Sequence, residues 1–355
     1  MDQRMDALGS DARELWPIVR PRRFVIGLTV AVTGPTGEIG ISAVDALERD
    51  SAVTRIIGMA RRPLDPASRG WTKTEYHQGD VLDRASVDAL VADADVVVHL
   101  AYLIMGSRAQ SRRVNLQGSR NVFEATAAAA RPLRLVYTSS VAAYGYYSDN
   151  PVPLTEDVPT RGSKEHYYSE QKAECEALLR TTTDGSGLEV YVLRPCIVAG
   201  PKATALADAM PWRQLRQRLP AVLRPVVGLI EGMLPLMPDP GVAMQLVHHD
   251  DVAAAIALAV AGAGGPGAYN LAADGELSLR EVAEATGTRS IRVPRAAAVV
   301  ASRVVARLPM LPAAAEWIHV ARSSVVMDTS RAKDVLGWRP QYTSRETLAA
   351  LAEIL

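Results

Sequence analysis

The sequence predicts an α/β fold: a doubly wound parallel sheet carrying a smaller lobe toward the C-terminus. Three observations predict it. Short β-rich runs alternate with helical stretches through the first half of the chain. Those runs are mostly apolar throughout, as expected when helices cover both faces of a sheet. A glycine-rich turn, from Val32 to Gly40, stands between the first strand and the first helix. In doubly wound folds ligands bind outside the carboxyl ends of the strands, where such turns lie.

Taken in order, Phe24 to Val32 reads as a strand, Glu38 to Arg49 as a helix and Thr54 to Met59 as a strand. A helix at Ala85 to Val91 precedes the strand Asp95 to Leu100. A helix from about Val114 to Ala129 precedes the strand Leu133 to Ser139. A helix from about Tyr167 to Arg180 precedes the strand Glu189 to Leu193. After Pro195 the texture changes, and residues 201–246 are rich in Pro, Met, Leu and Arg with poor periodicity. Leu246 to His249 reads as a strand, and Asp251 to Val260 as an Ala-rich helix with Asp250 as N-cap. Ala261 to Gly267 is a Gly-rich break, and Ala268 to Leu271 reads as another strand. From Ser278 to Glu281 the residues fit a capping box. The domain layout expected is an N-terminal extension at 1–24 and a doubly wound unit at 25–199, rejoined by about 246–275. Residues 200–245 and 276–355 then form the smaller lobe.

Composition bounds the function. A chain of 355 residues, nearly half of them apolar, can bury a sizeable core. Formal net charge is zero, so nothing electrostatic argues for nucleic acid or an anionic membrane as partner. The two cysteines, Cys175 and Cys196, make no disulfide framework, and a reducing cytoplasm is the natural reading. Met1 to Arg23 is interrupted by charges and lacks a signal peptide's apolar run, so it reads as an extension with a short helix around Ala12 to Val19. No segment reaches the roughly 18 uncharged apolar residues that a membrane span needs. The nearest, Ala221 to Met237 and Ala296 to Leu311, are broken by charges.

Two motifs carry chemistry. Gly34, Gly37 and Gly40 lie where the chain must turn sharply and let a pyrophosphate approach the backbone, with the helix N-terminus offering N–H groups to the anion. The spacing is G-x-x-G-x-x-G, and the alternative is a tight turn without a ligand. Tyr168 and Lys172 are four apart, so on a helix they share a face with roughly 5–6 Å between Cβ atoms. A phenol titrates near 10, and a neighbouring cation favours the phenolate and brings it toward useful acid/base range. Tyr167 is the other ring at hand; register with Lys172 selects Tyr168.

With these residues in place the chain resembles an extended short-chain dehydrogenase/reductase of the NAD-dependent epimerase/dehydratase type, from about Leu28 to Pro340. The glycine turn Thr33 to Gly40 matches that family's T-G-x-x-G-x-x-G. Gly79-Asp80-Val81 resembles the segment whose acid touches adenine, and His99-Leu100-Ala101 the turn that lies along the cofactor. Asn115 to Gly118 resembles the N-x-x-G element, and Thr138 to Gly145 the stretch whose second serine, here Ser140, is catalytic. Leu193-Arg194-Pro195 resembles the turn on the nicotinamide side. Val247 to Val252 and Leu336 to Pro340 resemble two further family elements. The resemblance implies a Rossmann-type fold with Tyr168 as acid/base, Lys172 stabilising its phenolate and bonding the nicotinamide ribose, and Ser140 orienting the substrate oxygen. Asn115 supports the site. The cofactor contacts implied are Gly34, Thr36, Gly37, Glu38, Ile39, Gly40, Arg61, Arg62, Asp80, Val81, Leu100, Ala101, Tyr102, Asn115, Tyr168, Lys172 and Pro195.

One departure bears on the cofactor. NAD-preferring relatives place an acid at the end of strand 2 for the ribose hydroxyl. Here Ala60 stands in that position and Arg61 and Arg62 follow, and guanidinium groups suit a 2′-phosphate. NADP is therefore expected in preference to NAD; the alternative is that both arginines face solvent. No metal is expected. His248 and His249 are adjacent, and neighbours on a strand point to opposite faces. The bland account of that stretch is a strand-to-helix junction with a capping aspartate.

For the substrate two readings compete in the lobe. Met210, Trp212, Leu215, Leu219, Leu223, Leu229 and Met233 suit an apolar alcohol, ketone or aldehyde; Arg213, Arg216, Arg218 and Arg224 could hold the diphosphate of a nucleotide sugar. The expected function is NAD(P)-dependent oxidoreduction at a carbinol or carbonyl carbon of a largely apolar small molecule. The alternatives are a nucleotide-sugar epimerase or dehydratase, and a non-catalytic sensor of cofactor redox state. A homodimer and peripheral contact with a membrane surface are compatible with this reading.

Overall fold

The computed structural model describes residues 27–104, 106–203, 236–294 and 324–355. The sheet is built from β1 (Leu28–Thr33), β2 (Val53–Ala60), β3 (Thr74–Gln78), β4 (Val96–His99), β5 (Arg134–Thr138), β6 (Glu189–Pro195) and β11 (Gly267–Leu271). Their order is β11-β6-β5-β4-β1-β2-β3, and every pairing is parallel. From β1 the chain winds outward through β2 and β3. It then returns to place β4 on the other side of β1 and winds away again. The reversal opens a crevice between the carboxyl ends of β1 and β4, the topological switch point of such sheets.

Helices close both faces. Alternate residues of β1 serve the two sides: Val30 and Val32 join one core with Val44 and Leu47 of α1 (Glu38–Arg49), while Ala31 joins the other. The second core contains Val87 and Leu90 of α2 (Arg84–Val91), Val122 and Phe123 of α4 (Ser119–Ala128), and Leu179 of α5 (Tyr167–Thr183). Strands buried on both faces read as continuous apolar runs, which is why β4 is Val-Val-Val-His. One strand, β3, escapes the sequence reading. Thr74, Glu75, Tyr76, His77 and Gln78 lie at the sheet's edge, where polar residues are tolerated and the apolar signal fades.

The expected helix at Val114 to Ala129 is a composite. It begins earlier, as α3 (Arg108–Arg112), widens into a π-helical turn at Arg113–Gly118 and continues as α4. The helix after β10 (Leu246–His248) also differs: α6 runs His249–Ala261, and its N-cap is His248, whose ring accepts the Asp250 N–H, so Asp250 is not the cap. The capping box at Ser278 and Glu281 is present, opening α7 (Leu279–Ala285). The expected helix around Ala12 to Val19 lies outside the described residues.

Beyond β6 the chain leaves the main sheet. The described lobe consists of short pairings. β7 (Ile197–Ala199) runs beside β10, β8 (Leu236–Asp239) beside β13 (Arg289–Arg292), and β9 (Ala243–Met244) beside β12 (Leu277–Ser278). A third apolar cluster joins Leu246, Leu277 and Leu279 to Leu348 and Leu351 of α9 (Ser344–Ala352), which follows the short α8 (Ser330–Asp334). Two family-like segments meet here. Buried Trp338 donates its ring N–H to the Asp251 carbonyl at 2.8 Å, and the Asp251 carboxylate accepts the backbone N–H groups of Gln341 and Tyr342. Their role is to fasten the C-terminal segment to α6.

Candidate functional site

The glycine turn sits at the switch point, and its glycines do different work. Gly34 has φ +75°, and a Cβ there would meet the Ala101 backbone at 2.9 Å, so β1 and the turn after β4 touch backbone to backbone. At Gly40 a Cβ would stand 2.1 Å from the Gly34 carbonyl oxygen, which lets α1 pack tightly on the turn. Gly37 needs no special conformation, with φ −81°, and an added Cβ would meet only the Gly34 oxygen at 3.5 Å. Internal packing therefore explains Gly34 and Gly40 and leaves Gly37 unexplained, unless something approaches its open side. No side chain caps the N-terminus of α1. An anion at that terminus fits both facts, and this cradle suits a dinucleotide's pyrophosphate.

The neighbouring segments frame the crevice. Thr33 Oγ1 accepts the N–H groups of Leu100 and Ala101 at 3.2 Å and lies 2.7 Å from His99 Nδ1. His99 Nε2 reaches Ser119 Oγ at 2.9 Å, so one buried imidazole joins β1, β4 and α4. Burial, helped by the Lys172 charge, holds that imidazole neutral with its pKa down to about 3. At the end of β2, Ala60 offers no carboxylate. Arg62 donates to the Thr36 carbonyl at 3.0 Å, which brings its exposed guanidinium over the glycine turn; Arg61 is also exposed. Asp80 follows β3 and accepts the Leu82 N–H, and Val81 packs under Gly118, where a Cβ would meet it at 2.6 Å.

Tyr168 and Lys172 lie on one face of α5, as their spacing requires. Tyr168 is half-buried and Lys172 is 3% exposed. The ammonium donates to the Thr138 carbonyl at 2.9 Å and stands 3.6 Å from the centre of the Tyr102 ring and 5.9 Å from that of Tyr168. A desolvated cation over an aromatic face is held by about 2 kcal/mol. Burial lowers the Lys172 pKa to about 8, while Cys175 and Glu176 act to raise it. The rings of Tyr102 and Tyr168 meet edge to face at 5.6 Å. Tyr167, the other candidate ring, donates its hydroxyl to the Ile104 carbonyl.

Ser140 follows β5 and is 7% exposed. Its hydroxyl accepts the Ala142 N–H at 3.2 Å, so its own proton is available to an incoming oxygen. Asn115 occupies the π-helical turn, fully buried. It accepts the Leu103 N–H at 2.7 Å and donates to the Leu103 carbonyl and to Gln171 Oε1 at 3.0 and 2.8 Å. It thereby braces the loop after β4 against the helix that carries Lys172, a supporting role. Pro195 ends β6, buried beside Leu271 of β11.

Glu176 was not singled out from the sequence, and Arg194, read there within the turn on the nicotinamide side, has another place. Arg194 precedes Pro195, but its guanidinium turns into the core. It binds Glu176 through Nε at 3.0 Å and Nη2 at 2.7 Å, and donates to the Tyr144 hydroxyl at 2.8 Å. Ser139 Oγ donates to the same Glu176 carboxylate at 2.6 Å. The spacing of Tyr168, Lys172 and Glu176, each four from the last, was the available signal. Cys175 and Cys196 are free and buried, and burial raises both thiols, Cys175 to about 11.

The histidine pair departs from the expected geometry. The rings of His248 and His249 lie 4.2 Å apart, because the chain passes from strand to helix between them and strand alternation ends there. His248, His249 and Asp250 could present ligand atoms within 4.8 Å of one another. Several of the possible ligand atoms already have partners. His248 Nδ1 accepts the Asp250 N–H, His249 Nδ1 faces Ser42 Oγ and Asp250 Oδ1, and His249 Nε2 accepts the Lys202 N–H. The Lys202 ammonium lies 4.0 Å from Asp250 and 3.0 Å from Asp45, so the acidic charge faces a cation of the chain's own. Among the described residues no helix is long and apolar enough to cross a membrane.

Residues 30–272 match the model of the NAD-dependent epimerase/dehydratase family. A UDP-glucose 4-epimerase of Streptococcus mutans is 25% identical over 348 residues, covering 92% of this chain and 96% of the epimerase. Among solved structures, WbmH of Bordetella bronchiseptica, in complex with NAD+, superposes with a TM-score of 0.65 at 22% identity, over 92% of this chain and 98% of that one. The UDP-glucose 4-epimerase of Thermotoga maritima with UDP-glucose gives 0.67 at 19% identity, over the same shares. At those identities the two structures carry the fold alone.

Proposed function

The chain belongs to the NAD-dependent epimerase/dehydratase family, and from that premise we propose an NAD(P)-dependent enzyme that moves hydride at a carbinol or carbonyl carbon, with Tyr168 as acid and base. One observation carries the reading. A half-buried phenol and a buried ammonium share a helix face against the carboxyl ends of β4 and β5, beside a glycine turn shaped for a pyrophosphate.

The dinucleotide would rest on Gly34, Thr36, Gly37, Glu38, Ile39 and Gly40, with Arg61, Arg62, Asp80 and Val81 toward its adenosine end. Leu100, Ala101, Tyr102, Lys172 and Pro195 would line its other half, with Asn115 bracing the loop behind them. When bound, the nicotinamide supplies the hydride acceptor or donor. The protein's own part is proton management. With its pKa near 8, Lys172 remains charged at neutral pH and favours the phenolate of Tyr168. Tyr168 takes the proton from a substrate hydroxyl during oxidation and returns one to the carbonyl oxygen during reduction. Ser140, its proton uncommitted to Ala142, donates to the same oxygen and fixes its position.

For cofactor choice, the absence of an acid at Ala60 and the reach of Arg62 over the glycine turn favour NADP, while NAD is the cofactor named for WbmH. For the substrate, we favour a largely apolar alcohol, ketone or aldehyde. The described residues that follow Pro195, from Cys196 to Pro201, carry no charge, and Lys202 beyond them is turned to Asp45. The large aliphatics and arginines weighed from the sequence, Met210 to Met233, lie outside the described residues. The second reading is a nucleotide-sugar epimerase or dehydratase, favoured by the activity named for the Streptococcus mutans relative.

The test is a Tyr168→Phe variant, assayed on a panel divided between apolar carbonyl compounds and nucleotide sugars. NADH and NADPH titrations should match the wild type. Turnover should fall by about 10² to 10⁴-fold, the range for loss of a general acid or base. Unchanged turnover refutes the assignment. A protein that binds either dinucleotide yet converts nothing in the panel is instead a cofactor sensor.

A further inference from the structure

We propose that Glu176 is a positioning residue for this reaction: its buried carboxylate, one helical turn beyond Lys172, ties α5 to the ends of β5 and β6 and so holds the ammonium in place beside Tyr168. The proposal rests on the hydride-transfer reading of the same site. Glu176 is fully buried and accepts three hydrogen bonds, two from Arg194 and one from Ser139. Ser139 stands between Thr138, whose carbonyl takes the Lys172 ammonium, and Ser140, which meets the substrate oxygen. Its backbone N–H donates to the Leu193 carbonyl at 2.7 Å, next to Arg194. Helix, β5 and β6 are thus closed into one loop of bonds, with Glu176 as the shared acceptor.

Mechanical tying alone does not require charge. A buried ion pair can often be replaced by well-packed apolar residues with little loss of stability. The carboxylate adds something an apolar pin cannot. The Tyr102 ring and the Thr138 carbonyl hold the Lys172 ammonium, but neither carries a full negative charge. His99 on β4 is neutral, the rings of Tyr102, Tyr137 and Tyr168 face it, and burial keeps the Cys175 thiol protonated. Arg194 stands beyond Glu176 as a further positive charge. Of these groups Glu176 is the one carboxylate, and it opposes the burial that strips the Lys172 proton.

The experiment is a phenolate titration. Subtracting the absorbance of Tyr168→Phe from that of the parent isolates the ionisation of Tyr168, with or without NADP. In Glu176→Gln, Lys172 loses its proton at lower pH, and the Tyr168 midpoint should rise by about one pH unit. The double variant Glu176→Gln with Arg194→Met leaves no unpaired buried charge; it guards against a misfolded single variant and should shift the midpoint the same way by less. An unchanged midpoint in folded protein overturns the proposal, even if the melting temperature falls, because a purely structural role lowers stability without moving the titration. The readout needs no dinucleotide, so failure of the proposed function shows separately, as wild-type protein that binds neither NADH nor NADPH.

Discussion

Adding one methyl group at two glycines of the same turn should give opposite phenotypes. At position 40 the new carbon would stand 2.1 Å from the Gly34 oxygen and 2.9 Å from Pro35 Cα. Carbon and oxygen in close contact keep about 3.3 Å, so the turn would have to yield by about 1 Å. It has little freedom to do so. The Gly34 N–H is bonded to the Met59 carbonyl at 2.9 Å, and the Ala101 backbone blocks the other side. Overpacking of this kind costs about 3 kcal/mol, the upper end of the usual range, because both partners are backbone. The melting temperature should fall by about 5 °C. At position 37 the new carbon meets only one oxygen at 3.5 Å. Losing glycine for alanine at an N-cap costs less than about 1 kcal/mol. That methyl, however, stands on the open side where the pyrophosphate would lie, and dinucleotide affinity should fall at least about tenfold, near 1.4 kcal/mol. Calorimetry and fluorescence titration with NADH and NADPH read both effects. Wild-type affinity in Gly37→Ala would show that the turn cradles no phosphate, and an unchanged melting temperature in Gly40→Ala would show that the contact is not tight.

Three further outcomes follow from the geometry. His99 is held at about 3, below the ordinary histidine value of about 6.5, so the unfolded chain takes the proton first as pH falls. Its contribution is complete above about 6.5 and declines toward 3, and urea melts of His99→Gln should depend less on pH across that window than those of the wild type. Glu189→Gln leaves buried Arg134 without the carboxylate it holds at 2.5 Å and should destabilise by about 3–5 kcal/mol in denaturant melts; a loss under about 1 kcal/mol would mean water reaches the pair. Ala60→Asp restores an acid beside the expected ribose and should move the NADH-to-NADPH affinity ratio toward NADH by about tenfold; an unmoved ratio would detach the end of β2 from cofactor choice.

What could be read in advance follows from how local each determinant is. Helix α1 was legible to its last residue because a glycine turn opens it and Arg49 and Asp50 close it. The register of Tyr168 and Lys172 was legible because four residues is a helical step. The polar edge strand β3 was not, since its pairing with β2 is a tertiary fact. The inward turn of Arg194 was hidden for the same reason, as its partner lies 18 positions earlier on another element. The meeting of His248 and His249 depended on where a strand becomes a helix, and a boundary displaced by a residue or two changes which faces are shared.

The widened turn at Arg113–Gly118 has a consequence for what changes the chain can tolerate. Upstream of it, Arg108 and Arg112 reach across to Glu170 and Glu174; within it, Asn115 grips Leu103 and Gln171. Each residue advances a helix by about 100°, so excising a single one there would restore ordinary winding while rotating one stretch against the other by that angle. Either the arginines or the asparagine would then miss their marks. The rod joining the crevice to the outer surface is therefore phased by one surplus residue, and its length is as constrained as any side chain it carries.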